Sequence, residues 1–255
     1  MILFRAILFR AIVFRAILFF IVLTSPLNAN TIYNLIKIPN LEVYKIDTKN
    51  GLRYLYATKP FMLGVNHKKN INCHNSDKKT LDEKYKIVKK NLNRYSLSFL
   101  KTINLKYIVL CENLSIAEIN TAGIPNNITR TLILDIKFNE NFFERAIHHE
   151  VFHMINDSYK ELFNKVEWET FNKKDFKYSE CSTCNNSWNL GLYNKTDGFL
   201  TEYSKSTASE DMAEIFSHLF FYKDKIYSKD SIIEQKIQFI KINILKIDDA
   251  FNFDK

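Results

Sequence analysis

The alternation of apolar and polar residues predicts strands in the first part of the chain. Residues 41–59 alternate on both sides of Asn50-Gly51, which predicts two strands joined by a tight turn. Residues 130–138 alternate in the same way and predict another strand. Between these regions, helical spacing follows the capping-box pattern Thr80-Leu-Asp-Glu83 and predicts one helix to about Ile103.

Helical spacing is more frequent in the second half. It predicts a helix near residues 141–155 with Asn141 as its cap, another capped by Ser206 or Thr207, and a last helix capped by Ser231. Residues 160–198 have few periodic runs and are interpreted as a long loop region. The segment Ala122-Gly-Ile-Pro125 is also interpreted as a loop. Strands followed by helices are typical of an α+β fold.

The predicted helix near residue 150 carries the motif His149-Glu150-Val151-Phe152-His153. Residues four apart lie on one face of a helix, so His149 and His153 can direct two imidazoles at one zinc ion. Glu150 lies next round the helix, where it can act as general base toward the attacking water. The alternative is a structural helix that merely contains two histidines, one of them packed in the core.

A catalytic zinc site needs a third protein ligand and an open position. Glu210 and Glu214 are four apart, so they share one helical face, and one of them can bind zinc while the other orients a ligand imidazole. However, Thr207-Ala-Ser-Glu210 also fits a capping box, which would make Glu210 purely structural. The downstream candidates are Glu202, Glu210, Asp211, Glu214 and His218.

Residues 1–29 have the pattern of a secretory signal peptide. Arg5, Arg10 and Arg15 precede an apolar run from residue 16 to 23, and the segment ends on the small residue Ala29. We therefore predict cleavage after Ala29, export to the periplasm or secretion, and no stable membrane insertion of the mature protein. A retained membrane anchor is the alternative, although Arg15 leaves fewer than the roughly 20 apolar residues that a spanning helix needs.

The net charge gives no indication of a nucleic-acid partner. The formal charge is +8, and removal of the leader, with its three arginines and no acidic residue, would lower it to +5. The remaining lysines are scattered among acidic and amide residues, without an aromatic-basic motif, which indicates a solvated surface. Since no linker rich in Pro, Gly or Ser divides residues 30–255, we predict a single domain with two lobes.

Four cysteines follow the leader, namely Cys73, Cys111, Cys181 and Cys184. An even number in an exported protein favours structural disulfides, although spacing alone does not define the pairs. Cys181-Ser-Thr-Cys184 could instead be a thioredoxin-like redox pair, or half of a structural zinc site completed by Cys73 and His74.

Taken together, the two motifs resemble those of the gluzincin zinc metallopeptidases. The similarity is greatest to the putative zinc-binding metallopeptidases related to anthrax lethal factor and the Pro-Pro endopeptidases, and it covers roughly residues 130–225. The matching residues are His149, Glu150 and His153, followed by Tyr203, Glu210, Ala213, Glu214 and Phe216.

The resemblance implies a zincin-like α+β fold. Such a fold has a small sheet and a helix packed on an N-terminal lobe, an active-site helix, and a mainly helical C-terminal lobe. In zincins the strand before the active-site helix commonly lies at the sheet edge above the metal. Residues 130–138 would then be an edge strand able to pair with an extended peptide. An ordinary core strand is the alternative.

The resemblance also implies the roles of the site residues. Glu210 becomes the third ligand of one catalytic zinc ion, and Glu214 becomes a carboxylate that orients a ligand without binding the ion. Tyr203 becomes the hydroxyl that stabilises the tetrahedral intermediate, with a buried structural tyrosine as the alternative.

The expected function is that of an exported zinc endopeptidase acting on a peptide or protein substrate, with Glu150 as general base. Three alternatives remain open at this point. The chain could be a catalytically inactive zincin-like binding module, a zinc amidase acting on cell-wall peptides, or a cysteine-based redox or metal-storage protein.

Overall fold

The computed structural model describes residues 40–63, 70–179, 181–183, 188–221 and 230–253. The predicted leader, residues 1–29, lies outside these ranges, and so does Cys184. Among the described residues, no helix is both long enough and apolar enough to cross a membrane.

A sheet of eight strands forms the first half of the fold. Five strands run in the order β1-β2-β5-β8-β7, with β2, β5 and β8 parallel and the two outer strands antiparallel to their neighbours. The distal part of β5 continues beyond them and pairs with β4 and β6, while β3 pairs with β4. The strands are β1 Leu41–Ile46, β2 Arg53–Ala57, β3 Phe61–Leu63, β4 Ile71–His74, β5 Tyr107–Ile116, β6 Ile119–Asn120, β7 Gly123–Asn126 and β8 Thr131–Asp135.

The strand pair predicted from residues 41–59 is confirmed as β1 and β2, which are antiparallel. The connection spans residues 47–52, and the Gly51 amide donates to the Asp47 carbonyl at 2.9 Å. Gly51 has a φ of +74°, a backbone conformation that glycine adopts without the steric cost of a side chain.

One prediction about the sheet is wrong, and one question that the sequence left open is decided. In the segment expected to be a loop, residues 122–125, all but the first residue belong to β7, which pairs with β8 and with no second strand within the described ranges. Pro125 is tolerated there because an edge strand does not need every N–H for pairing. For residues 130–138 the sequence left an edge strand and a core strand open; β8 lies between β5 and β7 and is buried throughout, so it is a core strand.

The helices begin close to the predicted positions, but one predicted helix is divided into two. Ser96 caps the second of them by accepting a hydrogen bond from the Phe99 amide, so the chain turns at residues 93–96. Asp77, rather than Thr80, caps the first. The helices are α1 Lys78–Leu92, α2 Leu97–Thr102, α3 Glu140–Ser158, α4 Lys165–Glu169, α5 Ala208–His218 and α6 Ser231–Ile247.

The remaining caps follow from short polar side chains. Asn139 rather than Asn141 caps α3, and Asp230 rather than Ser231 caps α6. The prediction of Thr207 as a cap is confirmed, because its hydroxyl accepts from the Glu210 amide at 3.2 Å. A short 3₁₀ helix, Tyr203–Lys205, precedes α5.

The sheet has a buried cluster on each face. Side chains alternate along β5 and β8, so that Ile108 and Leu132 belong to the larger cluster with the helices, whereas Val109 and Ile133 belong to the smaller one. Helix α3 packs within the larger cluster, beside α5. The fold is therefore α+β, with strands mainly in the first half and helices mainly in the second.

The smaller cluster contains a disulfide between Cys73 of β4 and Cys111 of β5, with a Cα–Cα distance of 5.8 Å. This bond confirms the prediction of structural disulfides and excludes Cys73 as half of a zinc site. Cys181 is also disulfide-bonded. The predicted redox pair includes Cys184 and so lies partly outside the described residues.

Candidate metal centre

Three side chains from α3 and α5 converge on one point. The Nε2 atoms of His149 and His153 are 3.2 Å apart, since one helical turn separates the two residues. The Oε2 atom of Glu210 lies 2.9 Å from His149 Nε2 and 3.2 Å from His153 Nε2. The predicted zinc ligands are thus brought together. Within the described ranges, they form a group that could hold a metal ion.

The size of this triangle fits a tetrahedral zinc ion. Ligand bonds of about 2.1 Å separate the ligand atoms of such an ion by about 3.4 Å, close to the observed distances. The chemistry fits as well, because the carboxylate oxygen and the two imidazole nitrogens are electron-rich atoms in close contact. A proton or a metal ion between them satisfies these contacts, and two imidazoles with one carboxylate are a known catalytic zinc set.

The structure also separates the two interpretations of Glu210. Its backbone amide donates to the Thr207 cap, as the capping-box pattern implies. Its carboxylate, however, contacts His149 and His153. The cap therefore accounts for the backbone of Glu210, while its side chain faces the two histidines.

Glu214 contacts the other side of the His149 ring. The Nδ1–H of His149 donates to Glu214 Oε1 at 3.0 Å, so Nε2 is the ring nitrogen that faces the ligand triangle. The second oxygen of Glu214 accepts from Arg145 at 2.5 Å and from the Thr201 hydroxyl at 2.8 Å. Glu214 thus holds His149 without entering the triangle.

The electrostatics of the triangle favour a cation. Burial lowers the pKa of His149, but its hydrogen bonds to the carboxylates of Glu210 and Glu214 outweigh burial and raise that pKa to about 10. Burial likewise raises the pKa of Glu210, but the charge of His153 and the hydrogen bond from His149 hold it well below its usual value. The carboxylates therefore stabilise positive charge, which a divalent ion would supply in place of protons.

Glu150 is buried beside the edge strand. A Cβ placed on Gly123 of β7 would lie 2.6 Å from Glu150 Cγ and 3.0 Å from its Cδ, so glycine allows this close approach. Burial raises the pKa of the Glu150 carboxyl, while His149 and His153 lower it.

Tyr203 stands next to the triangle, with its ring centroid 5.8 Å from that of His149. Its hydroxyl interacts with Glu210, and burial together with the charges of Glu210 and Glu150 raises the tyrosine pKa far above its usual value. Tyr203 therefore stays protonated and can act as a hydrogen-bond donor.

The other candidate ligands point elsewhere. Asp211 is fully buried and pairs with Lys236 at 2.7 Å. The Nδ1–H of His218 donates to the Glu214 carbonyl at 2.7 Å, and Glu202 accepts from the Asn189 amide. His148 is a core residue, because its Nε2–H donates to Asn91 and its Nδ1 accepts from Tyr95.

The triangle opens into a cleft of about 750 Å³, a size typical of ligand sites. Its walls include β7, one face of α3 and residues before α5. On α3 the wall contains Phe142, Arg145 and Ala146 before the histidines, and the polar residues Asn156 and Asp157 beyond them.

Comparison with protein families agrees with this chemistry. A family model described as "Putative zinc-binding metallo-peptidase" matches residues 115–243, about half of the chain. The chain belongs to this family. The matched region of the chain runs from the end of β5 through α3 and α5 into α6. It therefore includes His149, His153 and Glu210.

Comparison with solved structures finds one described as "a putative zinc-binding metallo-peptidase from Bacteroides caccae ATCC 43185". The similarity covers 75% of this chain and 77% of that chain, with 19% sequence identity and a TM-score of 0.45. A search of curated proteins finds no match.

Two residues at this site, Gly123 and Arg145, were not predicted from the sequence. Gly123 was assigned to a loop, although a glycine two residues before a proline could have indicated close backbone approach in an edge strand. Arg145 lies four residues before His149, on the same helical face, but nothing in the sequence distinguishes a buried arginine from a solvated one.

Proposed function

We propose that this member of the zinc-binding metallo-peptidase family is an exported zinc-dependent endopeptidase of the gluzincin type. The observation that carries the proposal is the convergence of His149, His153 and Glu210 at 2.9–3.2 Å, beside Glu150 and Tyr203, in an open cleft. A glutamate as third ligand, rather than a histidine or an aspartate, supports the gluzincin assignment.

The proposed reaction is hydrolysis of a peptide bond by water. When bound by His149, His153 and Glu210, zinc would polarise the scissile carbonyl and lower the pKa of the attacking water. Glu150 would take the proton from that water and deliver it to the leaving amine. Its burial supports this role, because a raised carboxyl pKa suits a group that must both accept and return a proton.

Tyr203 and Glu214 would support this chemistry. The raised pKa of Tyr203 keeps its hydroxyl protonated, so that it can donate to the oxyanion as negative charge develops. Glu214 would keep His149 in the tautomer whose Nε2 binds metal.

Export is proposed from the leader and the cysteines. Disulfides persist in oxidising compartments, and the bond between Cys73 and Cys111 is consistent with such a location. N-terminal sequencing of the protein secreted or released from the periplasm should begin at Asn30. Full-length protein with an intact Met1 in membranes would instead indicate an anchor.

The enzymatic proposal is tested by metal content and hydrolysis together. We expect about one zinc per purified chain, cleavage of an unfolded protein substrate, and loss of cleavage with a chelator. Glu150→Gln should keep the zinc and lose cleavage. Glu210→Ala should largely abolish zinc binding, whereas Glu214→Ala should weaken it roughly 10–100-fold.

Other results would replace the proposal. Zinc-loaded wild-type protein that cleaves neither proteins nor cell-wall peptides would indicate a binding module. Cleavage of cell-wall peptides alone would indicate an amidase. Full activity without metal would refute zinc catalysis.

A further inference from the structure

Arg145 occupies an unusual place for a charged residue. Its side chain is 8% exposed, and it projects from α3 one turn before His149. Its Nη1 atom donates to Glu214 Oε2 at 2.5 Å, and its Nη2 atom donates to the Leu190 carbonyl at 2.8 Å. The guanidinium also lies 5.4 Å from the centroid of the Phe142 ring. These contacts fix its position on three sides.

The partner of Arg145 is equally buried. The Glu214 side chain is 2% exposed and accepts hydrogen bonds from Arg145, His149 and Thr201. A buried carboxylate requires a compensating charge. Because Thr201 is neutral and a metal-binding His149 would be neutral, Arg145 provides that charge.

The sum of the charges around the triangle also indicates that Arg145 is the compensating charge. Glu150, Glu210 and Glu214 contribute three negative charges if all are ionised, and a zinc ion would contribute two positive charges. Arg145 supplies the remaining positive charge, without taking up a position among the ligand atoms.

We propose, on the basis of the proposed zinc site, that Arg145 is a positioning residue for metal binding. It holds one oxygen of Glu214, so that the other oxygen stays aligned with His149 Nδ1 and the His149 Nε2 lone pair stays directed at the metal. Helices α3 and α5, which carry all three ligands, are thereby joined by a buried ion pair. Arg145 borders the cleft, but both of its terminal nitrogens are engaged by the protein.

The test measures zinc affinity by competition with a chromophoric chelator on full-length mature protein. Arg145→Met should weaken zinc binding roughly 10–100-fold, as the loss of a residue that orients a ligand does. Arg145→Lys should lose less, because the ammonium keeps the charge but cannot reach both Glu214 and Leu190 in the same geometry. Unchanged zinc affinity in Arg145→Met would overturn the proposal.

Arg94→Met is the matched control. Arg94 is also partly buried and donates to a backbone carbonyl, that of Phe220, at 3.5 Å, but it does not contact Glu214. We expect this control to keep the zinc affinity of wild type even if its melting temperature falls. An equal loss of zinc affinity in both variants would overturn a specific role for Arg145.

The double variant Glu214→Gln/Arg145→Met shows whether Arg145 acts on zinc binding through Glu214 or directly. It also removes the unpaired Glu214 carboxylate that could prevent Arg145→Met alone from folding. In the Glu214→Gln background, Arg145→Met should change zinc affinity less than threefold, because the residue through which Arg145 acts is already altered. A further tenfold loss would contradict the proposed path. These measurements do not depend on hydrolysis. If the protein binds zinc but does not cleave peptides, the proposed endopeptidase activity is refuted, and the zinc affinities of the variants still test the role of Arg145.

Discussion

Gly123→Ala tests whether the edge strand sets the position of the proposed general base. The new methyl carbon would lie 2.6 Å from Glu150 Cγ and 3.1 Å from the Ile133 carbonyl oxygen. Carbon atoms in ordinary contact are about 3.5–4.0 Å apart, so Glu150 or β7 must move by about 1 Å. Misplacement by this distance at a reacting group can cost about 100-fold in rate. We expect turnover to fall by roughly that factor, with zinc content unchanged.

The assay is turnover per zinc-loaded molecule, measured beside a melting curve. Overpacking should also lower the unfolding free energy by about 1–3 kcal/mol, so the rate must be normalised to folded protein. Gly191→Ala is the control, because its methyl carbon would meet only the side chain of Asn189, at 3.1 Å. Wild-type turnover in Gly123→Ala, or an equal loss in the control, would refute the argument.

Three further outcomes are expected. Tyr203→Phe should keep zinc content and stability but lower turnover roughly 10²–10³-fold, as loss of an oxyanion donor does; reduced stability with normal turnover per folded molecule would make Tyr203 structural. Burial holds the pKa of His148 well below its usual value and lowers that of His218 to about 4, so both stay neutral in the fold. The unfolded chain takes up protons at these positions near pH 6.5, and stability should therefore fall as pH drops below about 6.5. For His218 the fall extends to about pH 4, at about 1.4 kcal/mol per pH unit. Denaturant titrations of His148→Gln should show a shallower pH dependence, and an unchanged slope would contradict a neutral His148. Replacing Cys73 and Cys111 together by alanine should lower the unfolding free energy by about 4 kcal/mol, given the 38-residue separation, and a melting temperature equal to that of wild type would contradict this estimate.

Local patterns in the sequence were sufficient for the elements that carry the chemistry. The four-residue spacing of His149 and His153 predicts a shared helical face, and so does that of Glu210 and Glu214, because the helical period depends on the backbone alone. The strand pair at residues 41–59 was predicted from two-residue alternation, and the Thr207 cap from the ability of a hydroxyl to accept from a backbone amide; both signals are also local. Local signals were weaker where short polar residues compete, so the break before α2 at Ser96 was missed.

Only the packing of distant segments decided the rest. Glu210 contacts His149 and His153, which precede it by 61 and 57 residues in the sequence. The orientation of its side chain depends on how α5 lies against α3, which no local pattern specifies. The burial of Arg145 opposite Glu214, at a separation of 69 residues, has the same origin. The pairing order of the strands made β7 the edge and brought Gly123 against Glu150, because a strand's place in a sheet depends on hydrogen bonds between segments far apart in the chain.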